Sequence, residues 1–440
     1  MSTRSVNVGI CGLGTVASGL VNIINRQSAL LRDRADADLR LVHIGARRDN
    51  PVCDISPYRV SRDIFQVVDD PEVDIVIELI GGTTAAKELV ERALHQGKHV
   101  ITANKALIAE HGNALFALAE SKGLALRFEA AVAGGIPIVK TLREGLAGNQ
   151  IEGITGIING TGNYILSEMA SAGRSFDEVL KEAQALGYAE ADPTFDIDGT
   201  DAAQKLVILA SIAFGIPLAI DAPFKEGIDR VGADDLEYAQ ELGYRIKHLG
   251  IARIAGEKID LRVHPTLIPE QKSIASIDGV LNAVQLEGDA VGEVLMTGAG
   301  AGAGPTASAV CADLIDLARS LGAGQNCAIP ALGVPLAKLQ ARELLPREAV
   351  TTPWYLRIIA SDKAGVMAEI TQLLGEEGIS IESLIQKAPE RGETHVPIII
   401  LTDAAAGGAM QNAVLSITAL DAIQGDIVAL RVEDFEEHGS

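Results

Sequence analysis

The sequence predicts an α/β protein made of three successive parts, and three patterns predict it. Apolar strands alternate with amphipathic helices over residues 1–134, as they do in a parallel sheet that is covered by helices on both faces. Over residues 135–299 the strands lie farther apart, which is typical of an α+β domain. The order βαββαβ over residues 353–440 is that of a ferredoxin-like unit.

Composition excludes several classes of protein. The net charge of -22 over 440 residues disfavours non-specific binding to nucleic acid or to anionic lipid. No apolar run approaches the ~20 residues that a membrane span needs, and residues 1–7 lack the apolar core of a signal peptide. The four cysteines show no CxxC spacing, which argues against a zinc site or a disulfide framework. We therefore expect a cytoplasmic protein.

The first part is predicted to contain five strands and three helices. The strands are predicted at 5–11, 39–46, 73–80, 99–103 and 124–132. The helices are predicted to run from the first glycine turn to about Leu31, over 84–96 and over 109–122, with a polar insertion at 32–38. The Gly/Ala-rich stretch 297–310 opens a further helix, which we expect to pack back on this part, so that about 300–322 complete it.

The other two parts are predicted with fewer elements. In the second part, strands are predicted at 151–159, 260–268 and 279–288, and helices at 163–172, 176–186 and 199–214. Residues 323–352 are predicted to be a linker region, and the prolines of 341–353 mark its end. In the last part, the helix after strand WYLRIIA ends at Gly378. Two strands then flank a PERGE turn, and a helix over about 406–418 and a strand near 422–433 follow.

The turn after the first strand has the pattern G-x-G-x-x-A. Gly12 allows a tight turn, Gly14 lets the backbone approach a pyrophosphate, and Ala17 permits close helix packing. Leu13, Thr15 and Val16 complete the loop, whose helix start offers free N–H groups to a phosphate. A purely structural turn is the alternative, but the position at the first strand–helix junction predicts a Rossmann dinucleotide-binding domain.

The end of the second strand bears on the choice of cofactor. An NAD site usually carries an acidic residue there, for the ribose 2′-hydroxyl. This strand instead ends in Gly45-Ala46-Arg47-Arg48, and two guanidiniums can pair with a 2′-phosphate. The sequence therefore favours NADP, with NAD possible, and the alternative interpretation is a solvated surface pair.

A carboxylate-rich segment, GYAEADPTFDIDGTDAAQK at 187–205, ends on a lysine. Asp201 and Lys205 are spaced i,i+4 on a predicted helix that Asp198 can cap, which by itself indicates only an ordinary ion pair. As a whole the segment resembles the signature of homoserine dehydrogenases, as do the NGTGNY turn at 159–164 and the TANK loop at 102–105. The resemblance covers the whole chain, and its last part is similar to ACT regulatory domains. It implies the form without an aspartokinase region.

The resemblance implies an NADP(H)-dependent interconversion of L-homoserine and L-aspartate 4-semialdehyde. It implies Lys205 as the proton carrier and Lys105 as the group beside the nicotinamide, with Lys105 also the alternative proton carrier. The substrate is a zwitterion, so carboxylates must meet its ammonium. The implied substrate residues are Glu190, Asp201, Asp192, Thr161 and Gly160, and the implied cofactor residues beyond the first loop are Lys105, Gly187 and Gly302.

Two further sites rest on the resemblance. A sodium ion is implied at the hinge 128–136, with Glu129, Val132, Gly134 and Ile136 as its oxygen ligands; an irregular loop with a buried Glu is the alternative. The turn 360–367, with Gly365, is implied to sense an amino acid, namely threonine, or else to serve only as a dimerisation module. A homodimer or homotetramer is expected.

Two other functions stay open at this point. One is a different NADP-dependent dehydrogenase of amino-acid metabolism, and the other is a non-catalytic amino-acid sensor. A sensor would have no need of Lys205, so the intact lysine motif favours an enzyme.

Overall fold

The structure is a computed structural model that describes residues 4–219, 221, 223–322, 329–387 and 394–433. The PERGE turn at 389–393 and Cys327 lie outside the described residues. Contacts divide the chain into two compact units. The first unit comprises Met1–Ile158, Asp201–Pro223 and Leu281–Arg342, and the second comprises Asn159–Thr200, Phe224–Val280 and Glu343–Ser440.

Strands and helices are numbered here along the chain. The strands are β1 (Ser5–Cys11), β2 (Asp38–Gly45), β3 (Arg59–Ser61), β4 (Ile75–Glu78), β5 (His99–Thr102), β6 (Leu126–Arg127), β7 (Ile151–Ile157), β8 (Phe224–Lys225), β9 (Tyr244–Ala255), β10 (Lys258–Pro269), β11 (Leu281–Gly288), β12 (Gly292–Ala299), β13 (Thr351–Ser361), β14 (Ile381–Gln386), β15 (His395–Ala406) and β16 (Val428–Val432). The helices are α1 (Thr15–Ala35), α2 (Phe65–Asp69), α3 (Thr84–His95), α4 (Lys105–Ser121), α5 (Ile138–Lys140), α6 (Gly160–Ala172), α7 (Phe176–Ala185), α8 (Thr194–Ile197), α9 (Thr200–Phe214), α10 (Ala233–Glu241), α11 (Ala303–Gly322), α12 (Val366–Glu376) and α13 (Gly407–Thr418).

The first unit is built on a six-stranded sheet in the order β3-β2-β1-β4-β5-β6, and every pair in it is parallel. The chain crosses over between β1 and β4, so the crevice at their carboxyl ends is where such folds bind a dinucleotide. The unit also holds the antiparallel strands β7, β11 and β12. This confirms the predicted Rossmann-type domain.

Helix α11 packs on α1, as the sequence predicted for the segment after residue 297. The contact is close because Gly19 of α1 lies against the start of α11, where a β-carbon would overlap the carbonyl oxygen of Ala303. Apolar side chains of both helices share one core with β1 and β2. The carboxyl-terminal segment of this unit thus completes the nucleotide-binding fold.

The second unit contains a ferredoxin-like sheet in the order β16-β13-β15-β14, with α12 and α13 packed on one face. The long antiparallel hairpin β9–β10 joins its edge, because β10 pairs in parallel with β16 through Thr266–Arg431 and Leu267–Val432. The predicted βαββαβ order is confirmed. The end of the predicted linker is ordered, because β13 starts at Thr351 and Leu344 bridges to Ile259.

Several predicted boundaries are wrong for local reasons. Helix α4 begins at Lys105 and not at 109, because the Asn104 side chain caps it by accepting the N–H of Leu107. Helix α1 continues to Ala35 through most of the expected polar insertion. The strand expected at 124–132 is only Leu126–Arg127, since the chain turns into a 3-10 helix at Glu129.

Some elements gave no clear pattern in the sequence. Strands β3, β8, β9 and β12 and helices α2, α5, α8 and α10 were not predicted, and the last strand begins at Val428 and not near 422. Within the described residues, no helix combines the length and the apolar character that a membrane span requires.

Candidate active site

Two lysines of the first unit share one buried carboxylate. Asp201, in the first turn of α9, is only 4 % exposed. Its Oδ2 lies 2.7 Å from the amine of Lys205, and its Oδ1 lies 3.0 Å from the amine of Lys105. The structure therefore brings together the two lysines that the sequence singled out, although 100 positions separate them.

The amine of Lys205 is fixed by two acceptors. It donates to Oδ2 of Asp201 and to the carbonyl oxygen of Ile158, which directly follows β7, both at 2.7 Å. An ammonium has three donors, so this geometry commits two and leaves one for a ligand. The side chain is 12 % exposed, which keeps the amine at the edge of solvent.

Lys105 is positioned by a polar network at the carboxyl ends of β4 and β5. The carboxylate of Glu78 is fully buried and accepts the N–H groups of Ile80 and Gly81 and the hydroxyl of Thr102. Thr102 in turn accepts the N–H of Asn104, the residue that caps α4 before Lys105. Burial raises the pKa of Glu78, and these hydrogen bonds oppose that shift.

Glu78 was missed in the sequence. The available signal was a single carboxylate inside the apolar run IVIELI.

Asp198 caps the start of helix α9. It accepts both the N–H and the hydroxyl of Thr200, each at 2.8 Å, which confirms that Asp198 can cap this helix. Lys225 of β8 also donates to Oδ2 of Asp198, at 3.0 Å. Burial opposes ionisation of Asp198, but the bonds to Thr200 and Lys225 lower its pKa overall.

The remaining substrate candidates lie in the second unit. The hydroxyl of Thr161 donates to the carbonyl of Tyr188 at 2.7 Å, which ties the NGTGNY turn to the loop that carries Glu190. Gly160 is the first residue of α6, whose cap is Asn159. Glu190 is exposed, whereas Asp192 accepts the N–H and hydroxyl of Thr194 as a turn cap.

The glycine turn after β1 has the geometry that a pyrophosphate needs. Gly12 has φ +99, and a β-carbon there would lie 2.5 Å from the carbonyl oxygen of Leu79. Gly14 is the N-cap of α1, and no atom lies within 4 Å of the place that a β-carbon would take on it. Thr15 is exposed, and Leu13 and Val16 are half-buried. The N–H groups of the first turn of α1 therefore have no side-chain cap and are available to an anion.

Arg47 and Arg48 lie exposed just beyond β2, where the sequence placed them. A third guanidinium stands beside them. Arg62, directly after β3, donates to the carbonyl of Ala46 and pairs with Asp49 at 2.8 Å. Sequence analysis missed Arg62 because β3 is only three residues long.

Two glycines of the predicted cofactor site occupy turns. Gly302, with φ +123, is the residue before α11. Gly187, with φ +77, is exposed and follows α7, where its N–H bonds to the carbonyl of Gln184. Both conformations favour glycine for the turn itself.

The hinge after β6 is rich in buried oxygen atoms. The carboxylate of Glu129 accepts the N–H groups of Val139 and Lys140, and its own N–H donates to Asp313. Ala133 and Gly134 follow with φ +53 and +46, so the backbone reverses sharply between Val132 and Ile136. Burial and Asp313 raise the pKa of Glu129 to about 7, against the opposing backbone bonds. Such a set of oxygens fits a hard cation.

The fit to a cation has one weak point. The Ile136 carbonyl already accepts the N–H of Ile138. Among the side chains that the structure describes, no group of three His, Cys, Asp or Glu residues forms a metal cluster.

Comparison with known proteins gives one consistent answer. The family descriptions "Homoserine dehydrogenase, NAD binding domain", "Homoserine dehydrogenase" and "ACT domain" match residues 12–129, 137–315 and 354–417. A homoserine dehydrogenase of Pseudomonas aeruginosa is 52% identical over 98% of this chain and 99% of its own length. The crystal structure of a homoserine dehydrogenase from Thiobacillus denitrificans is 50% identical, with a TM-score of 0.91 over 98% of this chain and 99% of that one.

A more distant relative is a hyperthermophilic archaeal homoserine dehydrogenase in complex with NADPH. It is 29% identical, with a TM-score of 0.60 over 71% of this chain and 98% of that one. With relatives this similar over their full lengths, the chain belongs to the homoserine dehydrogenases, oxidoreductases that act on a CH–OH group and interconvert L-homoserine and L-aspartate 4-semialdehyde.

Proposed function

We propose that Lys205 supplies the proton in this reaction, and the observation that carries the proposal is its two-acceptor geometry. A bound nicotinamide would supply the hydride for the aldehyde carbon, or accept it from the alcohol. In the reductive direction, the third N–H of Lys205 gives a proton to the aldehyde oxygen as negative charge develops there. In the oxidative direction the same amine takes the hydroxyl proton back.

Lys105 and Asp201 support that step in different ways. Lys105 begins α4 beside the carboxyl end of β5, where it orients the nicotinamide side of the site. Both oxygens of Asp201 are engaged by lysines, so Asp201 acts as a positioning residue for the two amines. The substrate ammonium then falls mainly to Glu190, because Asp192 is engaged in its own turn, and Gly160 and Thr161 form the polar turn near the substrate.

The test compares two matched variants. NADPH consumption with L-aspartate 4-semialdehyde is measured for Lys205→Met and Lys105→Met. We expect Lys205→Met to lower kcat by about 10²–10⁴-fold with little change in KM for NADPH, as for loss of a general acid. Lys105→Met is expected to raise KM for NADPH more than it lowers kcat. The reverse pattern would assign the proton to Lys105.

NADP is the preferred cofactor in this proposal. The support is the guanidinium group of Arg47, Arg48 and Arg62 beyond the ends of β2 and β3, together with the NADPH complex of the archaeal relative. Gly12 to Val16 and Gly302 approach the phosphates with their backbone, and Gly187 belongs to the same set. The acidic side chain of Asp49 is paired with Arg62, which keeps it from serving a 2′-hydroxyl.

A monovalent cation at the hinge is the second cofactor that we propose. Backbone oxygens of Glu129, Val132 and Gly134 would hold it, with Ile136 a weaker ligand because its carbonyl is already used. A sodium ion there would stabilise the sharp backbone reversal that follows the last Rossmann strand. Thermal denaturation in NaCl against choline chloride at equal ionic strength tests this, and equal midpoints would reject it.

Each predicted part of the chain has its own role in this proposal. Residues 1–134 with 300–322 bind the dinucleotide, 135–299 bind substrate, 323–352 connect, and 353–440 regulate. The Gly365 turn, with φ +100 at the start of α12, is where a threonine effector binds, in a cytoplasmic homodimer or homotetramer. Threonine inhibition that is identical in wild type and Gly365→Ala would remove the effector from this turn.

A further inference from the structure

The second unit contains a cavity of about 860 Å³ that the reaction does not use. Its walls come from the segment 224–231, from Pro265 of β10, from the turn at 347–348, from β13, from 426–431 and from the first turns of α13. Trp354, Met410 and Val414 supply apolar surface. Charged side chains of both signs line the rest: Lys225, Arg230, Arg347, Arg357, Arg431, Glu226, Asp229, Glu348 and Asp426. The cavity therefore combines an apolar wall with charged groups, which is the usual make-up of a small-molecule site.

Arg431 is the unusual residue of this cavity. It is only 5 % exposed, and its guanidinium carbon lies 4.5 Å from the ring centre of Trp354 and 5.0 Å from that of Phe224. Its hydrogen bonding in the part of the chain that the structure describes is one long contact, 3.4 Å from Nη1 to Glu226, and its Nε is buried without a partner. A guanidinium has five donors, so this buried charge keeps at least one donor, at Nε, without a bond among the described residues.

Each of the two cavity arginines has a carboxylate beside it, Glu226 at 3.4 Å from Arg431 and Glu348 at 2.9 Å from Arg347. Further positive charge lies close by. The guanidinium carbon of Arg347 lies 5.4 Å from the ring centre of Phe224, so two cations share one ring. Burial, together with Arg262 and Arg347, lowers the pKa of Arg431 to about 10, against the opposing charges of Glu226 and Asp260. A buried cation in this condition is stabilised by an anion that enters beside it.

We propose that this cavity binds a small organic carboxylate with an apolar body. The carboxylate pairs with Arg431 and Arg347, as planar guanidiniums pair with carboxylates, and the apolar body packs on Trp354, Met410 and Val414. The site is separate from the Gly365 turn at the start of α12, since no residue of that turn lines the cavity. It is also separate from the lysines of the first unit.

The same cavity has a physical connection to the catalytic helix. Lys225, which lines it, bonds to both Asp198 and Thr200, and Thr200 is the first residue of α9. Ile228 donates to the carbonyl of Ile197 at 3.1 Å, so segment 224–231 is bonded to the residues just before that helix. A ligand that shifts this segment alters the cap of the helix that carries Asp201 and Lys205. This regulatory part rests on the proposed role of Lys205, whereas the binding part does not.

Binding is measurable because Trp354 is the one tryptophan of the sequence. The full chain is titrated with 3-methylbutanoate up to about 10 mM while tryptophan fluorescence is recorded, with 3-methylbutanamide as the uncharged control. We expect a saturable change with the carboxylate and none with the amide. Arg431→Met and Arg347→Met are each expected to weaken binding at least about tenfold, and the exposed Arg342→Met leaves it unchanged.

The outcomes separate the alternatives. Arg347 is exposed, so Arg347→Met keeps the test valid should Arg431→Met fail to fold. Three results would overturn the site. The first is no fluorescence change with the carboxylate, and the second is an equal change with the amide. The third is a change that both arginine variants keep and Gly365→Ala abolishes. Lys225→Met tests the coupling between the cavity and helix α9. This variant should bind the carboxylate as the wild type does, but the carboxylate should no longer change its kcat. If Lys205 is not the proton donor, only the conclusion drawn from kcat changes. The fluorescence titration still tests binding in the cavity.

Discussion

Asp201→Asn is the perturbation that tests the site most directly. The change keeps the size of the side chain and removes the charge that two amines share at 2.7 and 3.0 Å. A hydrogen bond between charged groups contributes about 1.5–3 kcal/mol. Both Asp201 and the Lys205 amine are largely buried, so little of that energy is lost to solvent screening. The bond holds the Lys205 amine in place, and its loss should lower kcat for aldehyde reduction by roughly 10- to 100-fold.

The direction of the change follows from what holds the amine in place. Without the carboxylate, the Ile158 carbonyl is the one charged or polar acceptor of the Lys205 amine that remains among the described residues. A proton donor that is held by one bond lies less often within reach of the aldehyde oxygen, so kcat falls.

The assay is steady-state NADPH oxidation with L-aspartate 4-semialdehyde near neutral pH. Asp192→Asn is the matched control, because it is the same change in the same motif but on an exposed residue bonded to Thr194. We expect the control to keep its kcat. An Asp201→Asn enzyme with a kcat within threefold of wild type would refute the assignment of Asp201 as the group that positions the lysines.

Three other outcomes are expected. Gly19→Ala should lower the free energy of unfolding in urea by about 1–3 kcal/mol, because its β-carbon would overlap the first carbonyl of α11. Gly304→Ala is the control, because no atom lies near its β-position, and it should keep the wild-type midpoint. Equal midpoints for the two variants would contradict the close approach. Burial, with Arg431 and Arg262, holds the pKa of His264 well below its usual value, so the unfolded chain binds more protons below about pH 6.5. Stability should therefore fall there by up to about 1.4 kcal/mol per pH unit, and urea titrations of His264→Gln should lack that slope. Arg47→Ala with Arg48→Ala should lower the ratio of kcat/KM for NADPH over NADH by about tenfold or more, and an unchanged ratio would exclude them from the 2′-phosphate site.

The sequence predicted the core of the fold because the relevant signals are local. Strand β1, the glycine turn and α1 follow one another, and each carries its own pattern. The parts it missed depend on partners far along the chain. β9 is a strand of 12 residues, most of them buried against β10, and the apolar run that marks it is too irregular to identify without that neighbour. β6 ends after two residues because Glu129 turns to bond with Val139 and Asp313.

The candidate site shows the same division. The i,i+4 spacing predicted that Asp201 and Lys205 share a face of α9, and they do. The spacing held no information on Lys105, which reaches the other oxygen of Asp201 from a different helix. Only the family resemblance suggested that the two lysines work together, and only the structure shows the carboxylate that joins them.

Two buried charges show what the structure adds to a sequence signal. Glu78 and Arg431 each interrupt an apolar strand, in IVIELI and IVALRV, and the sequence gives no reason to treat them differently. Glu78 accepts hydrogen bonds from Ile80, Gly81 and Thr102, so its charge is satisfied and its role is to hold the loop before Lys105. Arg431 meets one distant acceptor among the described residues and lines a cavity. Hydrogen bonds offset the energetic cost of burying Glu78, so this residue supports a site. Glu226 and two aromatic rings offset the cost for Arg431 only in part, so Arg431 is itself a candidate for a site.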